Sequence, residues 1–181
     1  METMSTSIGS YAPDFELPGT DHTVHHLTRY LEKFRAVGVV IICNHCPYVR
    51  LYVDRLQQIQ ADFQDQGFTL VAINGNDEQR YPEDGFEPMK AFAAEQQLNF
   101  PYLRDITQDV VRSFGAKHTP EVYLLDRLGI IRYQGAIDDN PQNPQAVERD
   151  YFRWAIEQLL EDKEISVNST ESVGCSVKWR R

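Results

Sequence analysis

The sequence predicts a single α/β domain with a mixed central sheet and helices on both faces. Two apolar runs, 37–42 and 68–73, have the two-sided hydrophobicity of buried parallel strands. A helix-spaced apolar pattern lies between them. Two further strands, 122–125 and 130–133, flank a turn sequence and are predicted to form an antiparallel hairpin.

Turn residues and apolar spacing predict the elements of the first half of the chain. Phe15 and Leu17 alternate with polar residues before a Pro-Gly turn, and 24–27 is expected to pair back as a short hairpin. A short helix over 28–34 precedes the first buried strand. A longer helix over 43–66 has apolar residues every three or four positions and a glycine after its last residue.

The second half adds helices and one unusual loop. The polar, acidic segment 74–88 is long for a compact domain, which indicates a functional loop or a local lid. Helices are predicted over 89–97 and 107–114, with an extended segment at 100–103. Pro144 is expected to open the last helix, whose apolar stripe covers the sheet.

One domain fits the length of 181 residues. We expect residues 1–10 to be disordered and 11–164 to form the domain. Residues 165–181 are then a C-terminal tail that carries the third cysteine, Cys175.

Composition excludes several classes of protein. The chain has 18 Lys and Arg against 27 Asp and Glu, a formal net charge of −9, whereas nucleic-acid binding needs clustered positive charge. No stretch reaches the roughly 18 consecutive apolar residues of a membrane helix. The first ten residues lack the basic and apolar regions of a secretory signal, so a cytoplasmic location is expected.

The segment Cys43-Asn-His-Cys46-Pro predicts redox chemistry, because it lies where a buried strand gives way to a helix. Unpaired N–H groups at a helix start favour a thiolate, and a protonated His45 beside the sulfur would lower the thiol pKa further. Cys46 falls one turn later on the predicted helix, so its sulfur can close a disulfide with Cys43. Cys43 is therefore predicted to attack and Cys46 to resolve.

Two other interpretations of this cysteine pair stay open from spacing alone. The pair is also half of a zinc site, which needs four nitrogen or sulfur ligands. The other candidate ligands form no recognisable pair: His22, His25, His26, His118 and Cys175. The third interpretation is that the two cysteines only pack in the core.

Thr119-Pro120 stands directly before a predicted strand, where an ordinary trans proline is the simplest interpretation. A Cys-x-x-Cys at a strand–helix junction, followed by Thr-Pro, a hairpin and a last helix, resembles the thioredoxin fold. That resemblance implies a cis Pro120 lying against the cysteine pair. It also implies that the Thr119 backbone pairs with an extended substrate.

A closer resemblance is to bacterial redoxins of the alkyl hydroperoxide reductase/thiol-specific antioxidant group, over about residues 11–179. It is carried by Ala12-Pro-Asp-Phe-Glu-Leu-Pro18, Cys43-Asn-His-Cys-Pro-Tyr48, Tyr81-Pro-Glu-Asp84, Gly135-Ala-Ile-Asp-Asp-Asn140 and Gly174-Cys-Ser-Val-Lys-Trp179.

The sequence departs from related families at two places. Peroxiredoxins carry a threonine that helps to bind the peroxide, three residues before their cysteine. Val40 stands at that place before Cys43, and Cys43 itself stands there before Cys46. Thioredoxins carry a buried aspartate six residues before the first cysteine, where this chain has Val37.

These observations predict a thiol–disulfide oxidoreductase that uses a reversible Cys43–Cys46 disulfide, with Cys175 as a further redox residue. Thr119, Pro120 and Asn44 are the expected substrate contacts. The expected substrate is a disulfide in a protein or a small molecule, and the expected reductant is a thioredoxin or glutathione system. No cofactor is expected. The alternatives are a thiol peroxidase and a non-enzymatic zinc-binding or redox-sensing module.

Overall fold

A computed structural model describes residues 7–181 of the chain. The strands are β1 Glu16–Pro18, β2 Val24–His26, β3 Ala36–Ile41, β4 Phe68–Asn74, β5 Tyr102–Arg104, β6 His118–Thr119, β7 Glu121–Asp126, β8 Ile131–Gly135 and β9 Cys175–Ser176. The helices are α1 Leu27–Lys33, α2 Pro47–Phe63, α3 Phe86–Glu95, α4 Asp109–Phe114 and α5 Tyr151–Leu160. Short 3₁₀ turns lie at Gln64–Gln66, Pro82–Asp84 and Pro144–Ala146.

The central sheet has the strand order β5-β4-β3-β7-β8. β3 pairs in parallel with β4, with Val39 opposite Val71, and antiparallel with β7, with Val39 opposite Tyr123. Every residue of β3 and β4 is buried, as their largely apolar sequences predict. The predicted mixed sheet is therefore confirmed, and so is the N-terminal hairpin, in which β1 and β2 pair.

Helices cover both faces of the sheet. On one face, Ala36 and Val40 of β3 belong to a core with α2, α3 and α5. On the other face, Val37 and Val39 belong to a core with α1, α4 and the N-terminal hairpin. This alternation follows from the two-residue period of a strand, which sends successive side chains to opposite faces.

The helix predicted over 43–66 begins four residues later than expected, at Pro47. The residue before a proline is driven from helical to extended backbone, and Cys46 accordingly has φ −70° and ψ 124°. Proline is well suited to the first helical position because it has no N–H group to leave unpaired. The two cysteines of the motif therefore lie in the loop before α2 rather than within it.

Two other segments differ from the predicted boundaries. Pro144 opens only a 3₁₀ turn, and the last helix starts at Tyr151. Residues 1–6 of the predicted N-terminal segment lie outside the described residues. Within 7–10, the backbone N–H of Gly9 donates to the carbonyl of Ile131, which joins this segment to β8.

The C-terminal tail forms β9, which pairs antiparallel with β6 in a two-stranded sheet separate from the central sheet. Thr119 stands opposite Cys175 in this pair, and His118 stands opposite Ser176. The tail therefore brings the third cysteine beside Pro120. No helix within residues 7–181 has the length and apolar character needed to cross a membrane.

Candidate active site

Cys43 and Cys46 lie at the end of β3 and the start of α2, respectively. Cys43 follows β3 by two residues, and Cys46 is the residue before the first residue of α2. Both are almost entirely withdrawn from solvent, with 1% and 0% of their surfaces exposed. Neither cysteine reaches bulk solvent in this conformation.

The disulfide in the structure joins Cys46 to Cys175, across 129 residues of chain. Their Cα atoms are 6.2 Å apart, within the ordinary range for a disulfide. Cys43 is a free thiol. The structure thus shows a partner for Cys46 other than the predicted Cys43, and it places Cys175 in the site.

Thr119 lies next to all three cysteines. The Thr119–Pro120 peptide bond is cis. The sulfur of Cys43 lies 3.5 Å from the Thr119 hydroxyl oxygen, and the sulfur of Cys46 lies 3.4 Å from the Thr119 carbonyl oxygen. With Cys175 opposite Thr119 in the β6–β9 pair, all three cysteines lie around this one residue.

His45 points to a carboxylate that the sequence analysis did not single out. Its Nδ1 lies 2.7 Å from Oδ2 of Asp84 and 3.9 Å from a carboxylate oxygen of Glu83. The imidazole also stacks on Tyr81, with ring centroids 5.7 Å apart and planes 2° from parallel. These contacts fix the orientation of the His45 ring.

Asp84 is completely buried and collects hydrogen bonds from three asparagines. Its carboxylate accepts from the backbone N–H of Asn44 at 2.8 Å, from Nδ2 of Asn76 at 3.0 Å and from Nδ2 of Asn74 at 3.3 Å. These hydrogen bonds offset the cost of removing the carboxylate from water. Asp84 belongs to the Tyr81-Pro-Glu-Asp84 stretch, so the resemblance held a signal for it that spacing alone did not.

Asn44 lies inside the protein, and its side chain bonds to neighbouring residues. Its Nδ2 donates to the carbonyl of Glu83 at 2.8 Å, and its Oδ1 accepts from the hydroxyl of Tyr102 at 2.7 Å. Together with its backbone bond to Asp84, these contacts tie the cysteine loop to the segment predicted as a functional loop or lid.

The pKa of the Cys43 thiol is raised, contrary to the expectation from the sequence. Burial is the main cause, and the negative charge of Asp84 adds to it. The Thr119 hydroxyl and the backbone N–H groups of His45 and Cys46 act in the opposite direction. The prediction of a lowered pKa was wrong because the sulfur is buried and because the Asp84 carboxylate lies nearby.

Three side chains of the site could together hold a metal ion. Cys43, His45 and Asp84 each offer one ligand atom, and these atoms lie within 4.8 Å of one another. Such a set of sulfur, nitrogen and carboxylate oxygen suits zinc. Of the histidines considered from the sequence, His118 instead lies with Nδ1 2.8 Å from the Ser172 hydroxyl.

Comparison with protein families matches residues 8–134 to the AhpC/TSA family. The chain is 28% identical to the thiol:disulfide interchange protein DsbE of Pseudomonas aeruginosa over 168 residues, which are 90% of this chain and 83% of that protein. It is 29% identical to the thiol-disulfide oxidoreductase ResA of Geobacillus thermodenitrificans over 136 residues, which are 72% of this chain and 70% of that protein.

A solved structure shares the fold over nearly the whole length. An uncharacterized conserved protein from Geobacillus kaustophilus superimposes with a TM-score of 0.90 at 37% sequence identity. The match covers 99% of this chain and 96% of that chain. The C-terminal tail therefore lies within the matched region.

Proposed function

This chain belongs to the AhpC/TSA family, and we propose on that premise that it is a thiol–disulfide oxidoreductase acting through Cys43, Cys46 and Cys175. The observation that carries the proposal is the state of the cysteines. A disulfide and a free thiol lie around Thr119, with Cys46 bonded to Cys175 and Cys43 reduced. That arrangement has the components needed to pass a disulfide from one sulfur to the next.

The exchange begins when the Cys43 thiolate attacks a substrate disulfide. One substrate sulfur bonds to Cys43 and the other leaves as a thiolate that takes up a proton. The Cys46 thiolate then attacks the Cys43 sulfur, which releases the second substrate thiol and forms the Cys43–Cys46 disulfide. Attack by Cys175 on Cys46 frees Cys43 and produces the pairing seen here.

His45 and Asp84 supply the proton chemistry in this scheme. A Cys43 thiol with a raised pKa needs an acceptor for its proton before it can attack. The imidazole of His45 is the acceptor, and the Asp84 carboxylate, 2.7 Å from Nδ1, stabilises the imidazolium that results. This pair takes the place of the aspartate that the resemblance leads one to expect at Val37.

The proposed substrate is a disulfide in a protein or a small molecule, bound against Thr119 and Pro120. Asn44 supports the binding loop through its bonds to Glu83 and Tyr102 rather than through a free side chain. A thioredoxin or glutathione system in the cytoplasm is the proposed source of electrons. The names of the similar proteins ResA and DsbE support disulfide exchange in general, without identifying a donor.

Replacing Cys46 by serine tests the order of attack. The variant is expected to accumulate a mixed disulfide on Cys43, because no Cys46 thiol remains to release it. Incubation with a disulfide-bonded model protein, followed by non-reducing electrophoresis and peptide mass spectrometry, measures the adduct. The matched control is Cys46→Ser combined with Cys43→Ser. Absence of a Cys43 adduct in the single variant, or an equal yield in the double variant, would contradict the scheme.

Peroxide reduction is the second candidate activity, and the AhpC/TSA match is the observation that favours it. We expect it to be slow, because Val40 stands where peroxiredoxins carry the peroxide-binding threonine. In stopped-flow experiments the reduced protein should consume hydrogen peroxide within about tenfold of the rate of a free thiol. Much faster, Cys43-dependent consumption would instead establish an antioxidant peroxidase.

A further inference from the structure

The C-terminal segment 174–176 covers the backbone edge where an extended substrate is proposed to bind. Thr119 stands opposite Cys175 in an antiparallel pair, and the N–H of Val177 donates to the carbonyl of Lys117 at 3.0 Å. Antiparallel addition of a strand is one of the ways in which proteins bind extended peptides. The C-terminal segment therefore pairs with Thr119 in the way that is proposed for an extended peptide substrate.

Gly174 shows how close this approach is. A Cβ atom built on Gly174 would overlap the carbonyl oxygen of Thr119, so the tail fits against this edge only with glycine at that position. The next residue, Cys175, forms a disulfide with Cys46, the predicted resolving cysteine of the same site. Backbone pairing and the covalent bond together hold the tail at the edge where a substrate strand is proposed to lie.

The tail is anchored on both sides of Cys175, independently of the disulfide. Before it, the Ser172 hydroxyl donates to the carboxylate of Glu121 at 2.6 Å. After it, the N–H of Lys178 donates to Oδ1 of Asn76 at 3.0 Å, and its carbonyl accepts from the N–H of Asp77 at 2.8 Å. These anchors keep Cys175 close to Cys46 after reduction, which gives the internal exchange a high effective concentration.

The three cysteines also differ in their access to solvent. Cys43 and Cys46 are buried, whereas Cys175 is partly exposed. In the disulfide state, the partly exposed residue is Cys175, which favours attack by an external thiol at that end of the bond. The sulfur that is attacked decides which cysteine is released.

We propose that residues 174–176 act as an internal substrate strand and that an external dithiol reduces the protein by attacking the sulfur of Cys175. This inference rests on the proposed disulfide exchange and specifies where electrons enter. It also limits the substrate, because an extended peptide must displace β9 from Thr119 before it can pair there. The favoured reaction partner is a dithiol that reaches Cys175 without pairing with that edge.

Reduction by a dithiol takes place in two exchange steps. The donor thiolate bonds to the Cys175 sulfur, the Cys46–Cys175 bond breaks, and the electron pair leaves on Cys46, which takes up a proton. The second thiolate of the donor then attacks the donor's own sulfur in the mixed disulfide and releases Cys175. The donor is oxidised by two electrons and the protein disulfide is reduced to two thiols.

The test uses reduced glutathione as the probe, because a monothiol has no second thiol with which to release itself, so a brief treatment marks the sulfur that was attacked. The Cys43→Ser variant, with its Cys46–Cys175 disulfide verified by mass spectrometry, is treated briefly with glutathione and quenched with iodoacetamide. We expect glutathione on Cys175 and the alkyl group on Cys46, in at least about tenfold excess over the reverse pattern. Glutathione on Cys46, or equally on both cysteines, would overturn the proposal.

Gly174→Ala tests the strand itself in the otherwise native chain, with Val167→Ala, at an exposed position earlier in the tail, as the control. In the fully reduced protein, Gly174→Ala should speed alkylation of Cys43 by iodoacetamide severalfold, because the added Cβ pushes the tail off Thr119, whereas Val167→Ala should not. An unchanged rate in Gly174→Ala refutes the internal strand. Failure of Cys46→Ser to trap a substrate would refute the exchange reaction instead, so the two failures are distinguishable.

Discussion

Replacing Cys43 by serine is expected to abolish disulfide exchange with external substrates. The exchange rate should fall to that measured in buffer without the protein. The hydroxyl of serine is a far weaker nucleophile than a thiolate and forms no disulfide, so the first covalent step is lost. A reduction of at least roughly 100-fold in the reduction rate of a model protein disulfide should be measured. The fold should persist, because serine is nearly the same size as cysteine.

The matched control is Leu128→Ser, at the turn between β7 and β8. Ala36, at the start of β3, pairs with Asp126 at the end of β7, so this turn lies at the opposite end of β3 from Cys43. Leu128 is 67% exposed, and its replacement should leave the exchange rate unchanged. Retention of exchange in Cys43→Ser would show that another sulfur attacks the substrate.

The central sheet could be predicted because its signal lies in adjacent residues. The run over β3 has no polar side chain, as is typical of a strand buried on both faces, and the turn after β7 is encoded by the residues between the two strands. The position of Cys43 at the carboxyl end of β3 followed from the same local reasoning. Elements that are determined by residues adjacent in sequence could therefore be predicted.

The disulfide partner of Cys46 could not be predicted from neighbouring residues. Cys175 lies 129 residues away, and its approach depends on the path of a tail with little regular structure. The deciding features are a two-residue pairing of β9 with β6 and a glycine that permits close contact with Thr119. Such features are common in sequences and become specific only when the whole chain is folded around them.

The raised pKa of Cys43 illustrates a second limit. From the sequence, the thiol was expected at a helix start, where its pKa is lowered, and a protonated His45 was expected to lower the pKa further. Proline at the first position of α2 moved the helix away, and Asp84 came from a loop 41 residues further along the chain. The sign of the shift was therefore decided by burial and by a charge that no local pattern connects to Cys43.

Asp84→Asn is expected to lower the stability of the fold and to raise the reactivity of the Cys43 thiol. The amide group that replaces one carboxylate oxygen faces donors from Asn44, Asn74 or Asn76, and the partner of His45 is lost. These changes should lower the free energy of unfolding by about 2–4 kcal/mol. The pKa of Cys43 should fall, because the negative charge of Asp84 raises it, although burial will keep it from reaching the value of a fully exposed thiol.

The two effects are measured separately. Urea unfolding gives the stability, and the ¹³Cβ chemical shift of Cys43 against pH, in protein with the Cys46–Cys175 disulfide, gives the pKa. The wild-type midpoint should lie above the ordinary cysteine value of about 8.5, and the Asp84→Asn midpoint should lie below that of the wild type. Since the thiolate is the reactive form, iodoacetamide alkylation should shift to lower pH in the same order.

Asp138→Asn is the matched control, because Asp138 is also buried and also holds a network. Its carboxylate accepts from the Tyr52 hydroxyl at 2.7 Å and pairs with Arg55 at 2.8 Å. This variant should lose stability to a similar extent and leave the Cys43 titration unchanged. Equal shifts of the Cys43 midpoint in both variants would mean that loosened packing, rather than the charge of Asp84, sets the reactivity of the thiol.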